Sequence, residues 1–194
     1  MALEVVRLTP AVGDQSSIAA ALTQFDCCRN DDDPVADEVN LFIRTDEWRR
    51  HSELGVNSTY LFFDSEVDSD RIVGYVTLAI DAIRLSGGER ERLGRTSFPD
   101  FGAVRLVMIG VDSDFQRGGI GDILLKWSVG KARDLSDEIA FRFVVADVNL
   151  TRKAWYDKRQ FQVNRSKIEN PDDPSASTVS MRLDLQLSDV QGAT

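Results

Sequence analysis

Hydrophobic positions change period several times along the chain, and each change marks an element. Leu3–Leu8 (LEVVRL) is a short Val-rich run that reads as a first strand. Asp14 offers a capping side chain, after which Ile18, Ala21, Leu22 and Phe25 recur at helical spacing. The turn-like CCRNDDD follows, and Asp33-Pro34 then sets a cap and a proline at a first helical position. Val35, Val39, Phe42 and Ile43 line one face of that second helix, and Gly55 terminates it. Thr59–Phe63 and Ile72–Ile80 read as two strands joined through the polar DSEVDSDR. Residues 81–102, with Gly87, Gly88, Gly94, Pro99 and Gly102, read as a long connection holding one helical turn; such connections tend to be functional or disordered.

The second half is more strongly patterned. Ala103–Val111 is continuously apolar apart from Arg105, as a buried central strand should be. Ile120, Ile123, Leu124, Trp127, Lys131 and Leu135 then fall on a helical stripe. Phe141–Val145 predicts a strand, Asn149 to Arg159 a helix, and Phe161–Val163 the start of another strand. A polar stretch with Pro171 and Pro174 precedes strict alternation, with Val179, Met181, Leu183, Leu185 and Leu187 on one face and Ser180, Arg182, Asp184 and Gln186 on the other. Strand, two helices, three strands, helix, strand, helix, two strands predicts a mixed α+β sheet with helices packed on it.

A length of 194 residues suits one domain, expected over 1–187 with 188–194 a frayed tail. With 42% hydrophobic and 28% charged residues, a disordered chain, a collagen repeat and a disulfide scaffold are excluded. No apolar run approaches the roughly 18 residues of a membrane helix, and MALEVVRLTP does not read as a signal peptide. Cys27 and Cys28 are adjacent and are the only cysteines, so the expectation is a cytoplasmic protein with two reduced thiols and no membrane partner.

Charge alters that picture in two ways. The net −9 falls within residues 1–100, which carry 10 basic and 19 acidic residues, against 13 of each in 101–194. Within the second half, Arg142 to Lys167 holds seven basic residues against Asp147 and Asp157, a local positive field that suits either an anionic ligand or a solvated helix face. Asp outnumbers Glu 23 to 9 and Arg outnumbers Lys 18 to 5, a surface expected of a high-salt, halophilic habitat.

The candidate chemistry centres on Gln116-Arg117-Gly118-Gly119-Ile120-Gly121, between a buried strand and an amphipathic helix. Glycines let the backbone turn sharply, and the amides at a helix start converge where the helix dipole favours negative charge. By itself the segment is either a phosphate cradle or a glycine-rich structural turn. It lacks the glycine–lysine–serine/threonine ending of a Walker loop and the three-glycine spacing of a dinucleotide fingerprint. His51, the only histidine, lies in the polar WRRHSELG, so a Ser-His-Asp hydrolase and a zinc site both lack their ligands. Asp31–Asp33 reads as a solvated helix entry, and no metal is expected. Asp81 and Asp147 follow strands and are candidate bases or ordinary loop carboxylates.

Taken in order, LVMIGVDSDFQRGGIG (Leu106–Gly121), FRFVV (Phe141–Val145) and NLTRKAWYDKRQF (Asn149–Phe161) resemble the GNAT superfamily of acetyl-CoA-dependent N-acetyltransferases. That pattern is a strand ending in V-D, then Q/R-x-x-G-x-G/A and a helix, then a strand and a helix with Asn, Ala, Tyr and Phe at the places held here by Asn149, Ala154, Tyr156 and Phe161. The resemblance implies the GNAT fold, a mixed, mostly antiparallel sheet of about six to seven strands flanked by about four helices. It implies that amides of Arg117, Gly118, Gly119, Ile120 and Gly121 hold the pyrophosphate of coenzyme A, with Gln116 opening the turn. Ile109 and Val111 would pair with the pantetheine arm and Asn149 would hold its other side. Tyr156 would act as general acid toward the leaving thiolate while a neutral primary amine attacks the thioester. The cofactor is then acetyl-CoA as co-substrate, with no metal. The partner is an amine-bearing acceptor, and a homodimer is compatible. A GNAT-like domain that binds acyl-CoA without transferring it is the alternative.

A second resemblance is to the GNAT toxins of toxin–antitoxin pairs, which acetylate the amino acid on charged tRNA. It rests on Phe25-Asp26-Cys27-Cys28, the strand Ile72–Leu78 and the loop V-D-x-x-x-Q-R-G-G-I-G. Here Cys28 stands where that family has glycine, and Trp155–Phe161 keeps only the tyrosine and the last aromatic of its F-Y-x-x-F-G-F. A net charge of −9 opposes an RNA partner, an objection that high-salt adaptation softens without removing; aminoacyl-tRNA is the one nucleic acid that this resemblance keeps open.

Overall fold

The computed structural model describes residues 3–28, 34–66, 68–94, 99–164 and 178–187. In chain order the elements are β1 (Leu3–Leu8), α1 (Pro10–Gly13), α2 (Ser16–Gln24), α3 (Pro34–Arg44), α4 (Glu47–Glu53), β2 (Ser58–Asp64), β3 (Asp68–Arg84), α5 (Gly87–Arg92), β4 (Asp100–Val111), α6 (Ile120–Glu138), β5 (Phe143–Asn149), α7 (Lys153–Asp157), β6 (Gln162–Val163) and β7 (Thr178–Asp184). Single 3-10 turns occupy Ser113–Phe115 and Leu150–Arg152. The strands hydrogen-bond in the order β1-β2-β3-β4-β5-β7-β6, a seven-stranded mixed sheet. β1–β2, β2–β3, β5–β7 and β6–β7 are antiparallel, and β4–β5 is parallel. Asp31–Asp33, Arg165, Lys167, Pro171, Pro174 and 188–194 lie outside the described residues.

The expected α+β class holds, but the described residues contain seven α-helical segments where about four are expected. An additional short helix precedes the predicted first one because Thr9-Pro10 opens a separate turn, with the Thr9 hydroxyl accepting from the Val12 amide at 3.4 Å. Asp14 therefore does not cap α2. It closes α1, and its carboxylate pairs with Arg49 at 2.6 Å. The second helix breaks at Thr45, whose hydroxyl donates back to the Leu41 carbonyl at 2.8 Å and accepts from the Glu47 amide at 3.4 Å. Gly55 ends α4 as expected, at φ 65°, with the Val56 amide returning to the His51 carbonyl. The 81–102 connection shortens to residues 85–99, because β3 runs on to Arg84 and β4 begins at Asp100. It holds the one expected helical turn, α5.

The residues gather into two compact units, Met1–Ala79 with Val107–Ser128, and Ile80–Leu106 with Val129–Thr194. In the first unit, Leu8, Leu22, Phe25, Val39, Phe42, Ile43, Trp48, Leu61, Phe63 and Tyr75 form the core. Gly13 belongs to it, since a Cβ there would meet the Trp48 ring at 2.3 Å. Phe62 and Tyr60 instead meet Trp127 of α6. The buried residues of α6 are Ile120, Leu124, Leu125, Ser128, Val129 and Ala132, while Ile123 of the predicted stripe is exposed. The stripe lies one position round from the prediction. In the second unit, Ile83, Leu85, Phe101, Ala103, Phe143 and Val145 form the core. There β4 and β5 pair only over Ala103↔Phe143, Val104↔Val144 and Arg105↔Val145.

Candidate active site

The first unit contains the strand end and bend that the sequence singles out. β4 ends at Val111, and the Asp112 amide donates to the Val73 carbonyl at 3.0 Å. Two glycines permit this packing. A Cβ on Gly74 would meet the Gly110 carbonyl oxygen at 2.8 Å, and one on Gly110 would meet Val39 Cγ1 at 2.7 Å and Tyr75 Cε1 at 3.0 Å. Asp112 is 2% exposed; its carboxylate accepts from Arg71 Nη2 at 2.8 Å and caps the 3-10 turn through the Asp114 amide. Ile109 and Val111 are half-buried.

Beyond that turn the backbone becomes left-handed twice, at Arg117 (φ 66°) and Gly119 (φ 84°). A side chain at Gly119 would meet nothing within 4 Å, so the bend faces open space. The Gly119 carbonyl accepts from the Asp122 and Ile123 amides and starts α6. Among the described residues, the amides of Arg117, Gly118, Gly119, Ile120 and Gly121 donate no hydrogen bond within the chain. Undonated amides at the positive end of a nineteen-residue helix are an arrangement that favours negative charge. Gln116 turns inward instead, its Nε2 donating to the carbonyls of Cys27 (2.8 Å) and Val111 (2.9 Å).

The second unit holds the other expected site residues. Asn149 ends β5, and its Oδ1 accepts from the Thr151 amide (2.9 Å) and hydroxyl (2.7 Å), setting the 3-10 turn before α7. Among the described residues its Nδ2 makes no bond. Tyr156 is 7% exposed, edge-on to Trp155 and Phe161 at 4.8 and 5.2 Å between ring centroids. Burial pushes its phenol up to about 12, and the Arg159 charge draws part of that shift back. Its hydroxyl has no hydrogen-bond partner among the described residues.

Several candidates resolve into structural roles. Asp81 and Asp147 share Arg105: Asp81 Oδ2 accepts its Nε at 2.9 Å, and Asp147 accepts its Nη1. Asp81 Oδ1 also accepts the Ala82 amide, which leaves Asp147, half exposed, as the more open carboxylate. His51 bonds Asn57 Nδ2 at 2.9 Å and lies tilted against the Phe42 ring. The basic run is largely engaged: Arg142 with Asp184, Lys153 with Asp157, and Arg159 over the Trp155 ring at 3.9 Å. Asp112, Arg71 and Asn40 were not visible as site residues in the sequence, since their partners lie far along the chain.

A sheet of this order, a bend of open amides ahead of a long helix, and a tyrosine helix after the next strand define an acyltransferase architecture. The family model for the acetyltransferase (GNAT) family matches residues 25–161, and the chain belongs to that family. No curated protein matches. Among solved structures, a bacterial toxin is 18% identical with TM-score 0.74, covering 100% of this chain and 97% of that one. AtaT complexed with acetyl-methionyl-tRNAfMet is 15% identical with TM-score 0.72 over 97% and 98% of the two chains. A tyrosine-to-phenylalanine variant of KacT is 16% identical with TM-score 0.72 over 98% and 99%. At these identities the likeness establishes the GNAT fold. The described residues contain no cluster of metal-ligating side chains and no helix long and apolar enough to cross a membrane.

Proposed function

We propose that the protein moves an acetyl group from acetyl-CoA to a primary amine by direct attack. The observation that carries this reading is the row of five undonated amides from Arg117 to Gly121 at the start of α6. These amides hold the diphosphate, and Gln116 fixes the turn that presents them. The backbone of Ile109 and Val111 pairs with the pantetheine arm as an added strand would, and Asn149 donates to the arm from Nδ2.

The amine nitrogen attacks the thioester carbonyl carbon, whose oxygen is polarised by a backbone amide near Val111. The carbon–sulfur bond breaks as the nitrogen's proton passes to solvent water, and the leaving sulfur gains a proton through the Tyr156 hydroxyl, which solvent reprotonates. A phenol held at about 12 stays protonated at neutral pH, so the donor is always present. Because the thiol's ordinary value is about 8.5, the phenol acts mainly as a hydrogen-bond donor until charge collects on sulfur. Calorimetric titration with coenzyme A and thiol release over a panel of primary amines test the reading. Absence of binding heat overturns it, and binding without thiol release on any acceptor leaves the non-catalytic acyl-CoA sensor in its place.

A second reading names the acceptor as the amino group of aminoacyl-tRNA. It is supported by the near-complete mutual coverage with toxin chains, one of them AtaT with acetyl-methionyl-tRNA. Growth arrest on expression, with acetylated aminoacyl-tRNA recovered from the arrested cells, is the expected result. Normal growth with unmodified charged tRNA removes the toxin assignment and leaves the acetyltransferase reading intact.

A further inference from the structure

The Phe25–Cys28 turn precedes α3 and lies 86 to 89 residues from the segment it touches. The Ser113 amide donates to the Asp26 carbonyl at 2.6 Å, and the Asp26 amide donates to Asp112 Oδ2 at 3.3 Å. Gln116 Nε2 spans the Cys27 and Val111 carbonyls. Three bonds from this turn thus reach residues 112, 113 and 116, the segment between the end of β4 and the amide bend.

The turn is itself held from behind by α3. Asn40, 5% exposed, accepts from the Cys27 amide at 2.9 Å and donates to Asp26 Oδ1 at 2.8 Å and Cys28 Sγ at 3.1 Å. The Cys28 amide also donates to Asp26 Oδ1 at 2.9 Å, and Arg44 Nε donates to the Phe25 carbonyl at 2.6 Å. The Phe25 ring, 1% exposed, packs edge-on against Tyr75, whose hydroxyl donates to the Val39 carbonyl of α3 at 2.6 Å. The Asp26 carboxyl is held below its ordinary value by the Cys28 amide first, then by Asn40 and Arg44, against the opposing effect of burial. Every polar group of the turn named here is satisfied, so it is rigid, and what it grips is the base of a bend with few bonds of its own.

We infer that the Phe25–Cys28 turn, with Asn40 behind it and Gln116 as its bolt, is a positioning device for the amide bend, acting on coenzyme A without touching it. A site ordered before binding loses less conformational freedom when the ligand arrives, and so binds it more tightly. Arg117 in the left-handed region is the residue most in need of such support, since its Cβ crowds the backbone in that conformation. The inference rests on the function proposed above, because it takes the bend's ligand to be coenzyme A.

The test is calorimetric affinity for coenzyme A in wild-type protein and in Gln116→Ala, Asn40→Asp and Glu89→Gln, all at a temperature where circular dichroism shows native helix content. Asn40→Asp is isosteric and replaces the donor to Asp26 with a second carboxylate; it keeps the test valid where Gln116→Ala fails to fold. Glu89→Gln removes a comparable polar network in the second unit and is the control for general loss of stability. The expected result is affinity weaker by about fivefold or more in the Gln116 and Asn40 variants and unchanged in the control, with the same factor in KM for acetyl-CoA once an acceptor is in hand. A smaller loss in both turn variants, or an equal loss in the control, overturns the inference while wild-type binding preserves the proposed function. No binding by wild-type protein overturns both.

Discussion

Tyr156 is enclosed by two aromatic edges and carries a hydroxyl with nothing to bond in the described chain. Replacing that hydroxyl with hydrogen keeps the rings packed. Tyr156→Phe should therefore leave coenzyme A affinity unchanged within about twofold and lower turnover on the order of a hundredfold, the usual size of one proton donor. Equal turnover in a steady-state assay would remove the acid role. Gly110 offers a test of packing alone. A methyl group there presses on Val39, Tyr75 and Phe25, all core residues, so Gly110→Ala should cost about 1–3 kcal/mol in chemical denaturation. The bend itself was legible in the sequence because its requirement is local: residue 119 needs a left-handed backbone beside open space, and glycine provides both. Its support was not legible. Gln116 stands in a motif that suggests a ligand, yet its side chain bonds a carbonyl 89 residues earlier, a pairing that no local pattern encodes.

Elements were legible where hydrophobic period dominates and illegible where a side chain bonds its own backbone. The run Ala103–Val111, the helix beginning at Ile120 and the alternation of Val179–Leu185 all emerge in place. The separate turn at Thr9-Pro10 and the break at Thr45 do not, because each is set by a hydroxyl bonding nearby backbone rather than by the apolar period. α5 shows how strongly such local bonds can act in a six-residue helix. Ser86 caps it and Glu89 completes a capping box, while Arg182 of β7 grips the other Glu89 oxygen. Burial pushes the Glu89 carboxyl up, but the Ser86 hydroxyl and amide and the Arg182 guanidinium outweigh it and hold the group at about 2. A carboxyl lower in the folded than in the unfolded chain adds stability above its unfolded value of about 4.5, and that stability is lost as pH falls toward 2. Urea denaturation between pH 7 and 3 should show the loss in wild-type protein. In Glu89→Gln the acid limb should flatten and the neutral-pH stability should fall by on the order of 2 kcal/mol. Parallel acid limbs in the two proteins would show that this carboxyl does not carry the effect.

At the scale of the whole chain, charge divides along the two units more sharply than along the sequence. The first unit carries 8 basic and 18 acidic residues, the second 15 and 14, so an excess of ten negative charges falls in the part that also holds the amide bend. Salt acts on this excess in two opposing ways. It weakens exposed pairs such as Arg49–Asp14 and Arg50–Glu47, which contribute little to stability in any case. It also screens repulsion among the uncompensated carboxylates, as the Debye length shrinks from about 10 Å at 0.1 M to about 3 Å at 1 M. With more than two acids for every base, repulsion is the larger effect in the first unit, whereas near-balance in the second lets the two nearly cancel. Hydrogen exchange should therefore slow in β1, β2 and α2 to α4 when KCl is raised from about 0.1 to about 1 M, with little change in β5 and β7. Uniform slowing across both units would point to a general salting effect instead. No salt dependence in the first unit would mean that its acidic surface is too well solvated for repulsion to matter, and the high-salt interpretation of the Asp-rich composition would fall with it.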